Sequence, residues 1–104
     1  LGGEAWSHVS LGNLAFVRGN TQEAVRHFTE AVEVFRALGN EFEQSRVLSN
    51  LARVHREASE FEMARRYGEE ELRISRKYGS RLGEASACMS LGNLALATGA
   101  LDDA

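Results

Sequence analysis

The 104 residues include no proline and a single cysteine, Cys88. Without proline, no helix is stopped or kinked by a missing backbone donor, so other residues must set the helix ends. One cysteine cannot close an internal disulfide, which points to a reducing, cytoplasmic setting. Positive charge is not in excess either. The net charge is −3, which argues against the broad basic footprint of a nucleic-acid binder. No run approaches the roughly 18 apolar residues of a membrane span, and no basic-then-apolar leader opens the chain. Leu1 in place of methionine reads as the start of a piece of something longer. Reactive patterns are sparse. His8, His27 and His55 include no pair three or four apart, so no helical metal site is expected. There is no glycine-rich phosphate loop and no converging nucleophile and base. The expectation is a chain that is not an enzyme and carries no cofactor or metal.

What is present is balance and repetition. Apolar residues make up 43% and charged residues 26%, the mixture of a globular chain of at most one domain. The hexapeptide SLGNLA at 10–15 returns letter for letter at 90–95. A shift of 40 aligns Leu11, Leu51 and Leu91, then Gly12, Ala52 and Gly92, then Ala24, Ala64 and Ala104. The GEA at 3–5 matches that at 83–85, and the GN at 39–40 matches the GS at 79–80. A fixed period of this size predicts stacked supersecondary units, at about 1–40, 41–80 and 81–104.

Each unit reads as two helices. The first runs from about Gly3 to Val17, Glu43 to Ala58 and Gly83 to Thr98, with apolar residues at helical spacing as in Leu11, Leu14 and Ala15. The second runs from about Thr21 to Leu38 and Phe61 to Tyr78, with Thr21 as N-cap. Gly39 and Gly79 suit the left-handed residue that ends a helix. The third unit stops just inside its second helix, giving about two and a half repeats. Antiparallel helices need close backbone approach where they cross. Gly12 with Ala24, and Ala52 with Ala64, would supply it, with Leu11, Leu14 and Phe28 filling the space around.

Leu11-Gly12-x2-Ala15, followed by Ala24-x3-Phe28, resembles the tetratricopeptide repeat signature Leu-Gly-x2-Tyr, Ala-x3-Phe. Three features depart from it. Ala15 or His55 stands for the tyrosine, no proline ends the repeat, and the period is 40 rather than about 34. HEAT and armadillo repeats have periods nearer 40 and are the rival. The LGN run, the paired small residues and the simple helix pair favour the tetratricopeptide reading. The longer period is similar to the 40-residue variety of Pins/LGN-type adaptors and of helical sensor modules in bacterial regulators. The stretch 72–95 looks most like the former. The resemblance implies an all-α, right-handed superhelix of antiparallel helix pairs.

The same resemblance says which first-helix positions line the concave side. They are Trp6, Val9, Asn13 and Phe16, then Arg46, Ser49, Arg53 and Arg56, then Ser86, Met89, Asn93 and Leu96. At about 100° per residue, offsets of 3, 7 and 10 fall within an arc of roughly 80°, so each set shares a face away from Leu11 and Leu14. Three crowded arginines favour an anionic partner and grip carboxylates in a bidentate way. Asn13 and Asn93 are able to hold a peptide backbone, and Trp6, Val9 and Phe16 offer an apolar patch. The expected function is a protein-interaction module that binds an extended, acidic peptide. The expected site is Trp6, Val9, Asn13, Phe16, Arg46, Ser49, Arg53, Arg56, Met89 and Asn93. Against this stand a solvated charged face, with Glu57 pairing the arginines, and a structural, sensory or self-associating segment of a larger regulator. Exposed terminal repeat faces would give such a segment a route to homo-oligomers.

Three residues with reactive side chains are expected to be structural. His8 and His55 face the helix-pair interior, and Cys88, at the repeat position of His8 and Leu48, packs as a small apolar residue. Glu69 and Glu70 belong to a solvated face. Glu71 replaces the unit-one Ala31 at a contact with the neighbouring unit, and His55 is its candidate partner.

Overall fold

The computed structural model describes residues 2–98, all of whose regular elements are α-helices. They are α1 (Gly2–Val17), α2 (Thr21–Ala37), α3 (Glu41–Glu57), α4 (Phe61–Lys77) and α5 (Arg81–Thr98). The first helices of units two and three begin two residues earlier than their patterns suggest. The start of a further helix near Ala104 falls outside the described residues.

One turn is used four times. Gly19, Gly39, Ser59 and Gly79 all have left-handed backbones, with φ of 78°, 71°, 63° and 66°. At each, the residue's N–H bonds three residues back and the next N–H bonds five back, as in Gly19 to Phe16 and Asn20 to Ala15. These paired bonds satisfy the last carbonyls of the helix. The residue after the turn then starts the next helix. Asn20, rather than the expected Thr21, is the N-cap of α2, its side-chain oxygen accepting from Glu23 N–H at 3.4 Å. Its longer amide side chain sits one residue outside the helix, where the free N–H groups are reachable. Asn40 and Ser80 repeat this cap, at 3.2 and 3.1 Å.

The three-residue links fold each helix back on the last, so sequence neighbours pack antiparallel, and α3 also touches α5. The result measures 46 × 34 × 17 Å, a slab about two helices thick. Its core joins Phe28 and Phe35 of α2, Val47, Leu51 and Val54 of α3, and Ile74 of α4. Gly12 is required at its crossing, because a Cβ there would lie 2.7 Å from Phe28 Cε1. Ala24, Ala52 and Ala64 are buried as expected of the crossings. Leu11 and Leu14 correct the expectation. They are 46% and 47% exposed, whereas their counterparts Leu51 and Val54 are 1% and 0% exposed. The core against which α3 packs includes α2, whereas no described residue precedes α1 to cover the same face.

Candidate functional site

The first helices α1 and α3 meet through their predicted site residues. The Arg46 guanidinium lies 5.5 Å from the Trp6 ring centre, and that of Arg53 lies 4.8 Å from the Phe16 ring centre. Trp6 and Arg46 hold the same repeat position in successive units, so a residue of one unit is stacked by its own counterpart. Trp6 is held from below by an edge-on contact with Phe35, their centroids 5.4 Å apart. Such stacking adds about 0.5–1 kcal/mol at exposed sites and holds the guanidinium groups in place. Arg46 has an acidic neighbour in Glu43 at 3.6 Å, rather than the Glu57 that the rival reading offered. Among the described residues, Arg53 and Arg56 have no ion-pair partner.

Between α3 and α5 lies a depression of about 320 Å³ whose lining includes Ser49, Arg53, Arg56, Ser86, Met89 and Asn93. Five predicted site residues therefore converge there. Asn13 and Leu96 are exposed but do not line this depression. Val9 departs from expectation: it is buried in the core, where it meets the α2 side chains rather than solvent.

An adjoining cavity of about 470 Å³ shares Ser49 and Ser86 and reaches Glu71. Glu71 is 3% exposed. Its carboxyl is pushed up to about 7, chiefly by burial, with hydrogen bonds from Ser86 and Ser49 opposing the shift. The sequence flagged Glu71 by its mismatch with Ala31, but His55 is not its partner. His55 Nδ1 instead meets Glu60 at 2.8 Å while its ring stacks on Tyr67. Residue 60 follows the turn that ends α3, and that turn brings its side chain back to position 55. Glu70, in turn, pairs with Arg73, and of the acidic run Glu69 is the exposed member.

The remaining polar residues lie elsewhere. His8 is half-buried, with Nδ1 3.2 Å from His27 Nδ1 and Nε2 3.1 Å from Glu30. Among the described residues no group of three or more histidine, cysteine or acidic side chains is placed to hold a metal ion. Cys88 is exposed, correcting the packing expectation. Its counterpart His8 is covered by the second helix of its own unit, and the corresponding stretch of unit three lies outside the described residues. Among the described residues no helix is long and apolar enough to cross a membrane.

Comparison with known proteins agrees with the helix pairing and the recurring turns. No curated protein matches the chain. A family model described as Tetratricopeptide repeat matches residues 3–77, which span α1 to α4. Repeats of this kind generally mediate protein–protein interactions and are generally not enzymes. With most of its length matched and its helices paired in this way, the chain belongs to the tetratricopeptide repeat family.

Proposed function

We propose that the face made by α1, α3 and α5 is a concave groove that binds an extended, acidic peptide of a partner protein. The observation that carries this is the pair Arg53 and Arg56. Both lack an acidic partner among the described residues, and both open onto a depression shared with Ser49, Met89 and Asn93. Arginine forks recognise carboxylates with geometry as well as charge. The neighbouring asparagine amide both donates to and accepts from a main chain, and Met89 offers a pliable apolar contact. Arg46 over Trp6 extends the face toward α1. The 40-residue spacing of the turns at Gly39 and Gly79 fits the long-repeat variety found in Pins/LGN-type adaptors. The lone, exposed Cys88 thiol fits a cytoplasmic setting.

A fluorescein-labelled peptide alternating glutamate and leucine, read by anisotropy, tests this. Charge reversal by Arg53→Glu with Arg56→Glu weakens binding tenfold or more, and added salt weakens it in the parent protein. Tenfold corresponds to about 1.4 kcal/mol. A glutamine–leucine peptide that binds equally well, or no change on reversal, overturns the reading.

A second reading has its own support. Leu11 and Leu14 expose the face that in unit two is buried by a preceding helix, so another copy supplying such a helix would cover it. Sedimentation would then show association with rising concentration, abolished by Leu11→Glu. A strictly monomeric mass at high concentration rejects this self-associating role.

A further inference from the structure

Glu71 lies where the repeat calls for a small apolar residue, and the fold neither exposes it nor fully satisfies it. Its Oε1 is sealed from solvent without a hydrogen-bond partner, while the Ser49 and Ser86 hydroxyls lie beside the carboxyl group. Those two hydroxyl oxygens are 3.5 Å apart, one from α3 and one from α5. A buried carboxylate without a counter-cation is costly, so such a group is either kept protonated or supplied with a partner.

The cations of α4 are engaged elsewhere, and Arg53 and Arg56, unpaired among the described residues, line the neighbouring depression rather than this cavity. On α4, Lys77 and Arg73 reach Glu41, Arg73 also reaches Glu70, and Arg76 reaches Glu84. On α3, Arg46 is the one basic residue that lines the cavity, and it lies over Trp6 beside Glu43. The cavity's mouth carries Phe42 and Leu82, both exposed, as apolar walls. A polar floor under an apolar mouth matches a side chain with a hydrocarbon stem and a charged tip.

We infer that the cavity over Glu71 receives a lysine ammonium group of the bound segment, with the stem between Phe42 and Leu82 and the ammonium donating to the carboxylate and to Ser49 and Ser86. An ammonium has three donors, and a serine oxygen accepts once its own proton turns away. This rests on the groove reading for the source of the lysine: the shared residues Ser49 and Ser86 make the cavity continuous with the depression beside Arg53 and Arg56. A partner with an acidic residue and a lysine at matching spacing would satisfy both ends. The burial that raises the Glu71 carboxyl to about 7 supports the assignment, because the ligand would then draw a proton off the site as it binds.

The test is a ¹H–¹⁵N titration of the whole chain with Nα-acetyl-lysine amide, and with Nα-acetyl-norleucine amide as the uncharged match. The lysine compound shifts the Ser49, Gly83 and Ser86 amides and binds more tightly at pH 8 than at pH 6. Glu71→Gln weakens it at least tenfold, and the norleucine compound leaves those amides in place. No shift, equal shifts from norleucine, or undiminished binding to Glu71→Gln overturns the inference. If Glu71→Gln fails to fold, Ser86→Leu serves instead: it fills the floor beside the Glu71 carboxyl, and shifts that survive it overturn the inference equally. Failure with the lysine compound, while Arg53 reversal still weakens the glutamate–leucine peptide, removes the cavity site and leaves the groove. Lysine binding without any acidic-peptide binding supports the cavity site and removes the groove.

Discussion

Units one and two are built on one backbone and filled differently. Both have helices joined by the same turn, yet position 28 carries a buried phenylalanine and its counterpart, position 68, a glycine. In unit one the Phe28 ring reaches in against Gly12. In unit two a Cβ on Gly68 would come within 2.9 Å of Leu91 Cδ2, so the space is filled from α5 instead. Unit two is therefore completed by the unit after it and covered by the unit before it, whereas among the described residues unit one shows only the former. The repeat specifies where backbones cross, and the neighbours decide which side chains carry energy.

That asymmetry predicts the largest effect. Leu51→Ala removes a fully buried side chain and should cost about 2–5 kcal/mol. Leu11→Ala, at the same repeat position, should cost about 0.5 kcal/mol or less, because nearly half of the side chain already meets solvent. Urea unfolding of the two variants decides it. Equal losses would mean that Leu11 is covered in solution, which would move the comparison toward self-association.

How much of this the sequence carried follows from the same contrast. The helix pairs, the turn glycines and the tight crossing at Gly12 were legible, because a 40-residue echo and small residues at fixed places are local marks of packing. Exposure was not. Leu11 and Leu51 are the same letter in the same motif, and only the presence of a preceding helix separates them. Cys88 was misread in a related way: its repeat position is covered in unit one by the helix that follows, and the matching stretch of unit three lies outside the described residues. At the site, the 3.6-residue period grouped Arg53 and Arg56 on one face. It did not reveal that Phe16 and Trp6 of α1, the first helix of the preceding unit, would sit under Arg53 and Arg46, since cross-unit stacking depends on the offset between helices. Nor did it hold Val9 back from that face, although α2 draws the side chain into the core.

Ala31 and Glu71 sharpen the comparison further, and pH is the lever. Burial lifts the Glu71 carboxyl from an ordinary 4.5 to about 7. The folded chain thus holds this proton more tightly than the unfolded chain, and stability falls as pH rises through the interval between those values. Below about 4.5 both states are protonated and the penalty vanishes. Above 7 it is complete, on the order of 3 kcal/mol. Glu71→Ala, which installs the unit-one residue, should therefore stabilise the chain by about that much at pH 8 and have little effect near pH 4. Paired denaturation curves at the two pH values measure it. A loss of stability at pH 8 would show that the carboxylate is already compensated, and would weaken the case for a cationic ligand.

The smallest effect lies in the turns. Three of the four left-handed positions are glycine, and the fourth, Ser59, holds φ of 63° with a Cβ. That conformation costs an L-residue about 1–2 kcal/mol, while glycine reaches it freely but loses more chain entropy on folding. The two terms leave a net gain of roughly 1 kcal/mol for Ser59→Gly. The reverse change, Gly39→Ser, should lose a similar amount, because its turn has the same pair of backbone bonds. Unfolding midpoints at unchanged m-value would show both shifts. Neutrality at Ser59 together with a loss at Gly39 would show that the Ser59 turn is supported by something the other turns lack. The place to look is its neighbour Glu60, which caps no helix through its side chain and instead holds His55 across the turn.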